Sequence, residues 1–319
     1  MKVVASTGRE NLAVVYIIEY EDGRMVECVE SLQPPLPREK KWVLLVSTMF
    51  GCPVGCMMCD AGGYYQGKPS AEQIFEQIDF LVDKRYPDRK VTSEQFKIQF
   101  ARMGEPSLNK SVLQVLDELP QRYQAPGLMP SLSTIAPHGA QGFFEELLRI
   151  KRRWYGEGRF QFQFSLHTTD EGLRERLIPI KKWSFAEMAA YGERFHTDGD
   201  LKVTLNFALA QDTPVDPAVL LEHFDPGKFL VKITPLNPTY RASESGLATY
   251  IDPHRQGEDY AVIEALRRAG YQVILSIGAV EENNIGSNCG QYLRRHLEAN
   301  RPIADGYTYR LQECEKSLG

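Results

Sequence analysis

From residue 42 to residue 276, short apolar runs alternate with longer stretches whose apolar residues recur at helical spacing, and this alternation restricts the fold more than any other feature. Residues 42–47, 96–100, 130–133, 160–166, 202–209, 229–233 and 271–276 read as strands. Between the first two, Ser70 is placed to cap a helix with Glu72 in its first turn, and Ile74, Ile78, Leu81 and Val82 form its inward stripe. Further helical patterns cover 110–119, 141–151, 185–196, 216–223 and 259–269. Repeated strand–helix units predict an α/β fold with a parallel sheet, and about six of them predict an open, partial (β/α)6 TIM-like barrel. Ahead of it, residues 13–20 and 24–29 alternate around Glu21-Asp22-Gly23 and predict a small N-terminal β-hairpin. The proline-rich stretch 32–37 is a stiff connector, because proline fixes φ and removes a donor. The expected division is a hairpin extension over 1–40, the barrel over 41–240, and a C-terminal extension over 241–319.

The first barrel strand runs into Gly51-Cys-Pro-Val-Gly-Cys-Met-Met-Cys-Asp60, which puts Cys52, Cys56 and Cys59 on one tight loop. Three soft thiolates suit a four-iron cluster with one iron left without a protein ligand, and S-adenosylmethionine is the chelator this spacing suggests. Such a cluster reduces the sulfonium and releases a 5′-deoxyadenosyl radical, so the cofactor supplies the chemistry and the protein aims it. A zinc knuckle needs a nearby fourth ligand, and neither Cys nor His follows closely after Cys59. Inert thiols are the other alternative. A disulfide scaffold is excluded by six cysteines in 319 residues.

Composition narrows the class further. Hydrophobic residues make up 43% and charged residues 25%, as in a globular enzyme with a sizeable core. No apolar run approaches bilayer length, and no charged-then-apolar leader follows Met1, so a cytoplasmic protein without membrane contact is expected. The net charge of −5 counts against a large electrostatic RNA footprint. The basic clusters at 38–41, 151–153 and 294–295 read as solvated faces.

Other polar motifs follow the strands. Gly104 and Glu105 come after the second barrel strand, where glycine lets backbone approach a ligand and the carboxylate can accept from an ammonium group. Ser133 ends the third strand, Ser165-Leu166-His167 the fourth, and Asn237 the sixth; these suit a ribose or a carboxylate, or are ordinary strand-end and turn chemistry. Cys289 sits in a polar stretch with Asn283, Asn284, Gly286 and Ser287, read as a flexible loop that hosts a reactive or a merely exposed thiol. Cys28 and Cys314 are read as structural or incidental.

Taken in order, residues 46–59, 103–109, 132–134, 164–167, 173–180, 235–238 and 288–292 resemble the Cfr/RlmN group of radical S-adenosylmethionine enzymes, which methylate adenine in RNA. The resemblance runs from about Tyr16 to about Arg295. It implies that Cys52, Cys56 and Cys59 hold a [4Fe-4S] cluster, and that Gly104, Glu105, Ser133, Ser165, Leu166, His167 and Asn237 contact S-adenosylmethionine. Cys289 matches the family cysteine that carries a methyl group to an sp2 carbon, and Glu27 matches the family's proton acceptor. An electron donor such as flavodoxin or ferredoxin is implied too.

Three departures accompany the resemblance. The family's second cysteine, which breaks the enzyme–RNA crosslink, is replaced by Leu45, which cannot form the resolving disulfide. The family's basic stretch before its methylated cysteine is replaced by residues 274–283, which lack arginine. Only residues 1–41 precede the cluster strand, so the N-terminal accessory domain is expected to be missing. The expected function is a radical S-adenosylmethionine methyltransferase acting on RNA adenine or a related substrate. The alternatives are non-methylating radical chemistry on a small molecule or peptide, and a non-catalytic or zinc-binding RNA-associated protein.

Overall fold

A computed structural model describes residues 1–255, 260–288, 292–293 and 306–314. The fold is α/β, built on one eleven-stranded sheet. Strands β1 (Lys2–Arg9), β2 (Ala13–Glu19) and β3 (Met25–Ser31) form an antiparallel meander, and β3 continues antiparallel onto β4 (Lys41–Val46). From β4 the sheet is parallel through β5 (Gln95–Phe100), β6 (Leu128–Thr134), β7 (Gln161–Ser165), β8 (Val203–Leu209), β9 (Phe229–Pro235) and β10 (Gln272–Leu275). A short β11 (Gln312–Glu313) pairs antiparallel with β1.

Helices α1 (Ala71–Arg85), α2 (Ser111–Arg122), α3 (Gln141–Trp154), α5 (Phe185–Phe195), α6 (Pro217–His223) and α8 (Ala261–Arg268) fall on the helical patterns. Ser70 caps α1 by accepting from the Gln73 N–H, while Gln73 reaches back to the Ser70 N–H in a reciprocal box. Gln77, on the buried face of α1, accepts from the Ser47 N–H at 2.8 Å and donates to the Ser47 carbonyl at 3.1 Å. Both backbone groups are thereby satisfied at the point where β4 leaves the sheet for the cysteine loop.

Alternation along the parallel strands separates two environments. Phe96, Ile98 and Phe100 of β5, or Val203, Leu205 and Phe207 of β8, are buried in the main core beneath the helices. Around Phe144 of α3, the rings of Phe162, Trp183 and Tyr191 lie with centroids 4.5 to 6.4 Å apart, each such pair contributing about 0.5–1.5 kcal/mol. The opposite face is polar, with Lys97 and Gln99 on β5, Ser165 on β7, Asn206 on β8 and Lys232 on β9. Val54 beyond β4 and Leu236 beyond β9 share one apolar cluster, although those strands lie five apart in the sheet, roughly 24 Å on a flat sheet at ~4.8 Å per strand. The sheet therefore curls around this polar face as an open barrel.

Several elements escape the alternation. Strand β1 extends the hairpin to three strands; its mixed small and polar residues give no clear period. Helices α4 (Glu171–Leu177), α7 (Tyr240–Glu244) and α9 (Val280–Ile285) are too short to show a stripe. Helix α9 replaces part of the loop expected before Cys289, putting Asn283 and Asn284 in helix and ending at Gly286 with φ +70°. Lys151, expected on a solvated face, is buried: it donates to the Phe195 carbonyl at 3.0 Å and pairs with Asp200. No helix among the described residues is long and apolar enough to cross a membrane.

Candidate active site

The strand ends β4, β5, β6, β7 and β9 all meet on one rim. After β4 the chain turns through Gly51 at φ +74°, where a Cβ would lie 1.7 Å from the Tyr64 carbonyl oxygen, so only glycine fits. The Thr48 and Met49 N–H groups both donate to the Met103 carbonyl, at 2.8 and 3.1 Å, fastening this loop to the one after β5. Gly104, at φ +99°, approaches so closely that a Cβ would sit 2.5 Å from the Met49 side chain.

The cysteine loop is held from outside by α7 and its flanks. Arg241 donates to the carbonyls of Cys56 at 3.2 Å and Gly55 at 3.1 Å. Ser245 donates to the Met57 carbonyl at 3.1 Å and Thr239 to that of Met58 at 2.9 Å. Buried Asp60 returns the contact, accepting from the Tyr240 N–H, the Arg241 N–H and the Tyr307 hydroxyl. Four consecutive carbonyls are thus engaged, which fixes the backbone that carries the thiols. The cysteine spacing gave no signal for this strap.

Cys52, Cys56 and Cys59 form no disulfide and are half-buried. Burial pushes the Cys52 thiol up to about 11, and the backbone N–H groups of Val54, Gly55 and Glu105 oppose this. Burial, with Cys52 nearby, pushes Cys56 up to about 12, and the Arg241 charge opposes this. A second apolar cluster, including Val54, Met58, Ile135, Leu177 and Leu236, surrounds the loop and lowers the local dielectric. Among the described residues no three Cys, His, Asp or Glu side chains converge on one metal ion. A single zinc would need sulfurs roughly 3.8 Å apart at Zn–S distances of ~2.3 Å. Soft thiolates on one rigid loop, with backbone N–H groups that favour the charged sulfur of Cys52, fit a wider iron–sulfur cluster.

Glu105 is fully buried. Its Oε1 accepts from the Ser107 N–H at 3.1 Å, the Ser107 hydroxyl at 2.6 Å and the Thr134 hydroxyl at 2.6 Å, and its Oε2 accepts from the Ile135 N–H at 3.0 Å. The carboxylate therefore ties the loop after β5 to the end of β6, with Oε2 keeping capacity for one further donor. Burial raises its pKa against these hydrogen bonds. His167 adopts φ +67°, and its Nδ1 accepts from the Ala208 N–H at 3.1 Å. Burial, then Arg174, pushes its pKa down to about 4, so the ring is neutral with its proton on Nε2. Leu166 is buried in the core, and its N–H donates to the Asn206 carbonyl at 2.9 Å. Ser133 and Ser165 face the lumen, and Asn237 lies half-buried beyond β9.

Glu27 and Arg102 form a fully buried ion pair, with Arg102 Nε donating to Glu27 Oε2 at 3.0 Å. Arg102 also donates to the carbonyls of Gly286 at 3.0 Å, Ser287 at 3.1 Å and Asn288 at 3.2 Å. Glu27 Oε1 accepts from the Leu293 N–H. Burial raises the Glu27 pKa, and Arg102 is the strongest opposing influence. The pair thus grips the chain on both sides of Cys289, which itself lies outside the described residues. Arg102 gave no signal in the sequence. Cys28, next to Glu27, is fully buried and its thiol pKa is raised by burial.

Known proteins are similar to this chain over most of its length. The probable dual-specificity RNA methyltransferase RlmN of Desulfitobacterium hafniense strain DCB-2 is 26% identical, covering 90% of this chain and 76% of its own. A Thermus thermophilus protein of the same description is 28% identical over 91% of this chain and 76% of its own. That of Trichodesmium erythraeum is 31% identical over 53% of this chain and 44% of its own. Over about nine tenths of its length the chain is thus similar to proteins described as RlmN. A solved radical SAM methyltransferase from Sphaerobacter thermophilus shares the fold of this chain, with a TM-score of 0.67 at 20% identity, covering 91% of this chain and 80% of the other. No protein-family model matches the chain.

Proposed function

We propose that this chain is a radical S-adenosylmethionine methyltransferase acting on an sp2 carbon of RNA adenine or a related substrate. The observation that carries the reading is the rigidly strapped loop of Cys52, Cys56 and Cys59 on a rim that also holds Gly104, Glu105 and His167. These cysteines would hold a [4Fe-4S] cluster that, when bound, supplies the electron for cleaving the sulfonium. Glu105 Oε2 offers its spare lone pair to the cofactor's ammonium group, and the close-packed Gly104 backbone leaves room beside it. Neutral His167 offers its Nε2–H, while Ser133, Ser165 and Asn237 present hydroxyl and amide groups toward ribose and base. Leu166 acts through its backbone, since its side chain lies in the core.

In this reading Cys289 carries the methyl group, and the Glu27–Arg102 pair positions its loop. Glu27 Oε1 accepts from the Leu293 N–H and keeps a lone pair on which it takes the departing proton. The test is incubation of anaerobically reconstituted enzyme with methyl-deuterated S-adenosylmethionine and candidate RNA. Label should appear on Cys289 and then in product; label that never reaches Cys289 overturns the methyl-cysteine route.

A second reading, non-methylating radical chemistry on a small molecule, is favoured by Leu45. This residue pairs in register with Val29 and Gln99 and packs against the main core, with no thiol to resolve a crosslink. Under this reading deoxyadenosine forms without methylation.

A further inference from the structure

Tyr307 is buried where two parts of the site meet. Its hydroxyl donates to Asp60 Oδ2 at 3.0 Å, and Asp60 directly follows Cys59. Its ring stacks on Tyr240, the first residue of α7, with centroids 5.4 Å apart and planes 24° apart. The same ring meets Tyr292 edge-on, at 5.5 Å and 72°. Its N–H donates to the Asn283 carbonyl in α9 at 3.2 Å. At Gly286, with φ +70°, a Cβ would lie 2.9 Å from both the Tyr292 and the Tyr307 ring, so a larger residue would push the rings away. Gly286 is also the first of the three carbonyls that Arg102 holds. Tyr307 itself adopts φ +55°, a region bulky side chains rarely enter, so its contacts rather than local preference hold it there. One side chain thus touches the cysteine loop through its hydroxyl, and the chain on both sides of Cys289 through its ring and backbone.

We propose that Tyr307 is a positioning residue that couples the cysteine loop to residues 283–286 and 292–293, so that loading the cluster tightens the segment flanking Cys289. The proposal rests on the reading that Cys52, Cys56 and Cys59 hold a cluster. Joining three sulfurs removes the loop's freedom to shift, and Asp60, next in the chain after Cys59, is fixed with it. Its carboxylate then holds the Tyr307 hydroxyl in one place, and the ring, packed against Gly286 and Tyr292, passes that restraint to α9 and the turn beyond it. By linkage the coupling runs both ways, so the segment held through Tyr307 also helps to retain the cluster. Outer partners that orient metal ligands commonly change metal affinity by about 10- to 100-fold, and the Asp60–Tyr307 bond is such a partner to the loop.

Tyr307→Phe removes the hydroxyl while keeping both ring contacts and the backbone bond to Asn283, so it should fold as the parent does. Amide exchange at residues 283–286 and 293 is followed on the full chain, before and after anaerobic reconstitution with iron and sulfide. In the parent, reconstitution should raise protection there about 10-fold, within the usual range for coupling between two sites. In Tyr307→Phe that ratio should fall to about one, with about four irons and four sulfides per chain still taken up. A chelator should also strip the cluster about 10-fold faster from the variant than from the parent. A tyrosine that only fills the core would lower protection equally with and without the cluster. An unchanged ratio in Tyr307→Phe therefore overturns the proposal. A parent that takes up the cluster with no change in protection overturns it too, and leaves the radical reading standing. A chain that takes up no iron–sulfur cluster refutes that reading and the proposal with it.

Discussion

Replacing Arg102 with Met removes every guanidinium bond to Glu27 and to the carbonyls of Gly286, Ser287 and Asn288 while keeping much of the side chain's apolar stem. Both members of the pair are fully buried, and removing one partner of such a pair costs about 3–5 kcal/mol because a charge is left without compensation. Burial already raises Glu27, with Arg102 as its main opposition, so loss of Arg102 raises it further. The sign follows directly. A carboxylate whose folded pKa lies above its unfolded value of about 4.5 binds more protons in the native state, so stability falls as pH rises through that interval. Arg102→Met should therefore lose less stability at pH 5 than at pH 8, with a slope of up to about 1.4 kcal/mol per pH unit between the two pKa values.

Adding Glu27→Leu removes the orphaned charge and should recover about 1–3 kcal/mol relative to Arg102→Met alone. Urea midpoints at both pH values provide the assay, and amide exchange at Leu293, whose N–H donates to Glu27, provides the local readout. A double variant whose cost equals the sum of the singles, with no difference between the two pH values, refutes the coupling and the positioning role drawn from it.

Three further outcomes follow from the site. Cys289→Ala should retain the iron–sulfur absorbance and S-adenosylmethionine cleavage while losing product; full turnover would remove Cys289 from the reaction. Gly104→Ala forces a side chain into positive φ and into Met49, so it should cost about 1–3 kcal/mol by urea denaturation and weaken S-adenosylmethionine binding; an unperturbed midpoint contradicts the close approach. Arg241→Ala frees the carbonyls of Gly55 and Cys56, so the cluster should bleach faster under a chelator than in the parent, with the global melting point shifted by only a few degrees.

The barrel was legible because its strands and long helices carry two different apolar periods, and caps such as Ser70 punctuate them. Helices α4, α7 and α9 were not, because five to seven residues give at most two turns of stripe. The cysteine loop was legible as a local spacing. Its strap was not, because Arg241, Ser245 and Thr239 lie more than 180 residues from the carbonyls they bind. The same distance hides the Glu27–Arg102 pair: Glu27 stood out by resemblance, whereas Arg102 is one arginine among many until the fold closes on it. Lys151 misled for a simpler reason, since a basic run reads as solvated and its partner Asp200 comes from a distant turn.

The most direct measurement is iron, sulfide and 5′-deoxyadenosine on protein reconstituted without oxygen and given a low-potential reductant. About four irons and four sulfides per chain, with deoxyadenosine formed from S-adenosylmethionine and both lost in Cys56→Ala, is the predicted result. Protein that stays colourless, binds zinc in place of iron, or holds the cluster and leaves S-adenosylmethionine intact would contradict it.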